Sequence, residues 1–474
     1  MEYEYDVVVV GAGPNGLCAA IALAREGQSV LLVEAHAAAG GGLRSEELTL
    51  PGFLHDVCSA VHPLGELSPF MRTLPLAEHG LHFIHPPFSA AHPLPDGQVA
   101  LLQRSVAATA DRLGIDGPAY RGLLEPLLRE PEALLADLLG PLRVPTRPIG
   151  FTRFGLHGMR SAMGLSRGLF KRPLARALFA GCAAHAIMPL ENFFSGAVGL
   201  MFLFAGHVTD WAVARGGSQA IAVALSSYFA QLGGQLRTGT KVESLSQLPP
   251  ARAYVFDLAP QQVASIAEHE LPAGYRARLL RYNYGPAAFK IDYALSGPIP
   301  WRAAACGQAS TVHLGGTLEE IAASEHAAWN GEHSDAPYVL VCQQSHFDST
   351  RAPRGKHTGY AYCHVPFGSN VDMTERIERQ IERFAPGFRD LVLARVARGP
   401  AEIERDNPSH VGGVIAGGAA DVTQLFTRPV MRVDPYSTPN PRIFLCGAST
   451  PPAGGVHGMC GYHAAQSVLK RLRG

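Results

Sequence analysis

The sequence predicts an α/β protein built on a doubly wound parallel sheet, with a second domain of mixed sheet and helices. Three observations carry that expectation. A β-branched run, Asp6–Val10, passes through Gly11–Gly16 (GAGPNG) into an Ala- and Leu-rich helix. A second apolar run, Ser29–Val33, follows directly and ends on Glu34, which completes a βαβ unit. The 474 residues also exceed the roughly 250–300 at which a single core stops growing, so a second domain is expected.

Taken in order, Pro14 suits the first helical turn because its missing N–H would be unpaired there, and Gly27 suits the helix C-terminus. From Pro63 to about Arg147 the chain alternates loops and helices. Residues 174–230 read as helical, broken at Arg215–Gly217. The stretch 233–245 (GGQLRTGTKVESL) reads as strand, turn, strand, and Ala253–Leu258 as a buried strand. Phe289–Leu295 (FKIDYAL) alternates like a half-exposed strand. Loops are expected at 296–300 and 350–359. Ile443–Cys446 is a last short strand, followed by a glycine-rich turn and a terminal helix over about Met459–Leu472.

The composition, 47% hydrophobic and 17% charged against a usual charged share of about 25%, leaves apolar material for a large core and an apolar cavity. Lys+Arg and Asp+Glu both number 40, which lacks the basic footprint of a nucleic-acid binder. The eight cysteines form no CxxC pair, so free thiols in a reducing compartment are expected, and dithiol redox chemistry and zinc are not. The acidic start MEYEYD predicts no leader peptide, and Ala197–Ala205 is shorter than the ~20 residues a bilayer span needs. The expectation is a cytoplasmic protein, with peripheral membrane contact through 193–205 left open and the oligomeric state undefined.

GAGPNG between strand and helix aims backbone N–H groups and the positive helix end at a pyrophosphate. Gly11 makes the tight turn, Gly13 admits the phosphates, Gly16 lets helix and strand pack, and Pro14 and Asn15 complete the loop. Glu34, with Ala35 beside it, is placed to accept a ribose hydroxyl. This unit alone does not separate FAD from NAD. His79, His82 and His85 are spaced so that a strand would put His82 on the opposite face, which argues against a metal site.

RIFLCGASTPPAGGVHGMCGYHAAQSVLK (442–470) resembles the C-terminal signature of the phytoene desaturase-like flavoproteins, departing from it at Pro451 and Ala453. The resemblance implies FAD, with Gly447 and Ala448 near the ribityl phosphate and Gly455, Val456 and Met459 near the flavin pyrimidine edge. GGGLRSEELTLPGF (40–53) is similar to a subgroup resembling the pyridine nucleotide-disulfide oxidoreductase domain-containing protein 2 group, implying cofactor contacts from Gly41, Gly42, Arg44 and Ser45. WAVARGGSQAIAVAL (211–225) and TGTKVESL (238–245) extend the likeness, the latter implying that Val242 meets adenine.

The resemblance further implies a discontinuous FAD-binding domain (1–75, 208–285, 428–474) and a substrate domain (76–207, 286–427). The implied activity is dehydrogenation of an apolar, isoprenoid or carotenoid-like substrate by hydride transfer to flavin N5, with the electron acceptor undefined. A redox-neutral isomerase of a polyene and a flavin-stabilised regulatory or binding protein stand as alternatives. Amine oxidation is disfavoured because no aromatic pair flanking the flavin can be identified. The catalytic candidates are Lys290, in PAAFKIDYALSGPIPW (286–301), and His457, in the flavin-edge turn. A solvent-facing Lys290 is the commoner case for such a strand, because lysine is rarely buried unpaired.

Overall fold

The computed structural model describes residues 3–473. Its first sheet has five parallel strands in the spatial order 443–445, 251–256, 5–10, 30–33, 235–237. Strand β1 (Tyr5–Val10) lies at its centre, and Val7, Val8 and Val9 are fully buried because helices cover both faces. Helix α1 (Pro14–Arg25) follows, and β2 (Val30–Val33) returns beside β1. Against α1 packs the terminal helix Met459–Arg473, closely enough that a Cβ on Gly461 would stand 1.8 Å from the Asn15 carbonyl oxygen.

The second sheet is mixed, with seven strands in the order 392–398, 287–295, 357–365, 339–342, 309–314, 88–93, 99–102. Only the 309–314 and 88–93 pair runs parallel. Helices between Val106 and Val208 pack beside this sheet. The Ser195–Val208 helix carries the apolar 197–205 run and seats Gly199 against Phe179 and Ala183. Among the described residues no helix is long and apolar enough to cross a membrane, and all eight cysteines are unpaired.

Two local expectations are corrected. The Ala287–Leu295 strand is buried along its whole length, not half exposed, because strands flank it on both edges. Its alternating polar residues, Lys290 and Asp292, share one face and neutralise each other, so an internal ion pair mimics a solvent face in sequence. After Gln235–Arg237 no second strand forms. The chain runs as a loop through Lys241–Glu243 to Ser244, which caps a short 3-10 turn with Gln247.

Candidate functional site

The glycine loop, the 447–457 turn and the helical layer enclose one cavity of about 1100 Å³. Gly11 adopts φ +98°, and a Cβ there would stand 2.7 Å from the Asp257 carbonyl oxygen. Gly41 (φ +54°) sets its backbone against Gly13, where a Cβ would lie 3.2 Å from the Gly13 Cα. Two loops thus meet backbone to backbone, which leaves N–H groups rather than side chains facing the cavity. At the end of β2, Glu34 Oε2 accepts from Ala12 N–H (2.7 Å) and Oε1 from His36 N–H (2.8 Å), fixing its carboxylate at the cavity wall.

Of the residues singled out in sequence, Gly11, Gly13, Pro14, Asn15, Glu34, Ala35, Gly41, Gly42, Arg44, Val242, Gly447, Ala448, Gly455, Val456 and His457 line this cavity. Gly16, Ser45 and Met459 do not. Gly16 donates its N–H to Asp257 Oδ2 (2.8 Å), Ser45 donates to Asp56 Oδ1 (2.7 Å), and Met459 opens the terminal helix. Val242 reaches the wall from a loop, not from the strand expected. The Arg44 guanidinium bonds Glu46 Oε1 (2.7 Å), His36 Nε2 (2.7 Å) and the Asp406 carbonyl oxygen (3.1 Å). His79, His82 and His85 form no cluster, since His79 bonds Ser227 and His85 faces Glu66 and Asp210.

His457 is held by the backbone at both nitrogens. Met459 N–H donates to its Nδ1 (3.0 Å), so Nε2 carries the proton and donates to the Ala453 carbonyl (3.1 Å). Burial holds the ring neutral, its pKa pushed down to about 4. It clamps the turn and has no lone pair free to take a proton.

Lys290 departs from the solvent-facing reading. It is buried, not solvent-facing, and it does not line the main cavity. Its Nζ donates to Asp292 Oδ1 (2.6 Å) and to the Asp56 carbonyl oxygen (2.9 Å), 4.4 Å above the ring of Tyr360, which does line the cavity. A small side pocket bounded by Gly41, Gly42, Tyr360 and Tyr362 is the space it borders. Burial lowers its pKa to about 8, against the pull of Asp292. Arg398 Nη2 donates to Asp292 Oδ2 at 3.2 Å, the oxygen that Nζ also reaches, so the three charges form one buried network.

Several wall residues carried no sequence signal. Asp257 directly follows the 251–256 strand of the first sheet, and burial raises its pKa to about 7, with the Gly16 N–H opposing and Glu34 adding to the rise. Arg428 is the one buried cation without an acidic partner among the described residues. It lines the cavity, and its Nε and Nη1 have no hydrogen-bond partner. A buried unpaired guanidinium needs an anion. With the glycine cradle and Glu34, it makes the chamber fit a phosphorylated dinucleotide. Tyr360 and Tyr362 also line the wall, their rings 5.9 Å apart and edge to face at 85°, not parallel.

Comparison with known proteins agrees with this geometry. A profile of the NAD(P)-binding Rossmann-like domain matches residues 9–74. The chain is 27% identical to mouse pyridine nucleotide-disulfide oxidoreductase domain-containing protein 2, covering 99% of this chain and 94% of that protein. It is 21% identical to one of the subunits of the limonene dehydrogenase of Castellaniella defragrans, covering 99% and 95%. Among solved structures, an oxidoreductase from Methanosarcina mazei superposes with TM-score 0.66 at 17% identity, covering 98% of this chain and 99% of that one. A putrescine oxidase triple mutant gives 0.63 at 15%, covering 99% of each. The chain has the α/β, Rossmann-like FAD-binding oxidoreductase fold, with homology along its whole length to pyridine nucleotide-disulfide oxidoreductase domain-containing protein 2.

Proposed function

We propose that the chain is an FAD-dependent oxidoreductase that dehydrogenates an apolar, isoprenoid-like substrate. The observation that carries this reading is the continuity of the cavity. One end is the glycine-and-glutamate cradle, and the other is walled by Phe151, Phe154, Val198, Met201, Phe202 and Leu340. FAD bound there would supply a hydride acceptor at N5. The chain's own groups hold the ribose (Glu34), oppose the phosphate charge (Arg428 and the glycine-loop N–H groups) and keep water out with aromatic walls. Similarity to a limonene dehydrogenase polypeptide supports the hydrocarbon class. The edge-to-face tyrosines give amine oxidation no parallel aromatic pair.

Delivery from an anionic membrane surface fits the cavity rim. From Leu138 to Leu190 the chain holds no acid; Arg143, Arg147 and Arg167 pair with Asp137, Glu130 and Glu319, while Arg153, Arg160, Lys171, Arg172 and Arg176 have no acidic partner among the described residues. Leu142 and Met159 are exposed on that stretch and also line the cavity.

The test is anaerobic. The purified protein should be yellow and release FAD on heating, identified by mass. Mixing it with the apolar compound that copurifies should bleach the flavin. A flavin that stays oxidised with every apolar candidate, or a colourless protein that ignores added FAD, refutes the reading. An isomerase would need prior reduction and leave the flavin spectrum unchanged.

A further inference from the structure

Asp257 sets an acid inside a cradle shaped for phosphate. Its N–H donates to the Val10 carbonyl oxygen (2.8 Å), which pins the residue beside the glycine loop. Oδ2 accepts from Gly16 N–H at 2.8 Å and would lie 2.7 Å from a Cβ on Gly13, the glycine past which the phosphates approach. The carboxyl therefore sits at the positive end of α1, and Asp257 lines the cavity. Gly16 is its one hydrogen-bond donor among the described residues, and Oδ1 is not among the polar atoms sealed from the cavity.

No cation sits against this acid. The titratable groups that bear on it are Glu34 from the end of β2, Cys18 from α1, Cys446 after the 443–445 strand and Cys460 from the terminal helix. Burial keeps the three thiols protonated, so Glu34 supplies the only other charge, and it is negative. Arg428 bears on Cys460 and not on Asp257. A pyrophosphate entering the cradle adds more negative charge, and like charges at close range disfavour ionisation. The carboxyl is already poised near neutrality, burial having raised its pKa to about 7. Because Oδ2 stays the acceptor for Gly16 N–H, the added proton belongs on Oδ1, which then presents a donor.

We propose that Asp257 takes up one proton from solvent when FAD enters the cradle, so that the acid becomes a donor to the cofactor and binding tightens as pH falls. The inference rests on the cradle being the FAD site, as proposed above. Phosphate charge lifts the bound-state pKa above the free-state value of about 7, so affinity is constant below about pH 7 and falls above it, by up to roughly ten-fold per unit.

The intact yellow protein is equilibrated at about pH 6.5, 7.5 and 8.5, and free FAD is separated by ultrafiltration to give the dissociation constant at each. It should rise by roughly ten-fold or more from the lowest pH to the highest. Asp257→Asn keeps an oxygen for Gly16 N–H and carries an uncharged donor at every pH used. It should match the wild type at the lowest pH and hold that affinity at the highest. Should that variant not fold, Asp257→Ser carries the same contrast, its hydroxyl being uncharged throughout. A wild-type dissociation constant that does not change with pH, or a slope that persists in the substituted protein, overturns the proposal. A protein that holds no FAD at any pH refutes the cofactor reading instead, which is a different result from pH-independent binding.

Discussion

Residue by residue, the site divides into positions where space decides and positions where charge decides. Gly13 belongs to the first kind: a Cβ there would approach Asp257 Oδ2 to 2.7 Å, and branched atoms beyond it would fill the phosphate cradle. Gly13→Val should therefore purify without flavin, as the ratio of flavin to protein absorbance would report. Lys290 belongs to the second. Removing its ammonium in Lys290→Met leaves Asp292, which is fully buried, with Arg398 as its remaining cationic partner beside the neutral His55. Urea unfolding should show a loss of roughly 3 kcal/mol, the scale expected for a broken buried pair. Flavin reduction by substrate should change little, because Tyr360 stands between Lys290 and the chamber. A large fall in reduction rate at unchanged stability would return Lys290 to a catalytic role.

Among the elements, the βαβ unit and the terminal strand and helix were legible in sequence because local signals agreed there. β-branched runs, a helix-opening proline and glycines at tight turns all indicate the same backbone. The Ala287–Leu295 strand was misread because an ion pair buried on one face has the period of a solvent face. His185, Asp257, Arg428 and the two wall tyrosines were invisible for another reason. They come from scattered segments, and only tertiary packing brings them to one cavity. The crossing of α1 with the terminal helix gives a test at this scale. Gly461→Ala would drive a methyl into the Asn15 carbonyl, so the helix must shift and pull the glycine loop with it. The variant should melt several degrees lower and bind flavin more weakly, while an alanine elsewhere on the exposed face of that helix should do neither.

Across the whole molecule, buried neutral histidines set the response to acid. Burial lowers His55, His62, His92, His207, His410, His457 and His463 to about 4, from an ordinary 6.5. Between those values the unfolded chain binds more protons than the folded one, so stability rises with pH across the window. The contribution is complete above about pH 6.5 and lost as pH falls toward 4. Melting temperature should be flat near pH 7–8 and drop steeply below about 6, with more than one proton taken up on unfolding. A shallow, single-proton slope would contradict this. The basic apolar rim makes a second expectation at this scale: the protein should float with anionic vesicles, less so at high salt, and stay behind with neutral ones.

The parallel sheet under the dinucleotide cradle draws its strands from residues 5–10 and 443–445 alike. During synthesis the first glycine loop therefore leaves the ribosome long before the turn that completes its chamber. Until residues 443–457 emerge, the 251–256 strand is an open edge and the cradle has no second wall. From the emergence of that strand until residue 443 the nascent chain elongates with the edge unpaired, the condition in which parallel sheets are most exposed to misassociation. With FAD as the proposed cofactor, its capture would be a late event that seals the two ends together, and cells starved of flavin should accumulate this protein as aggregate or proteolytic fragments, not as a stable empty fold.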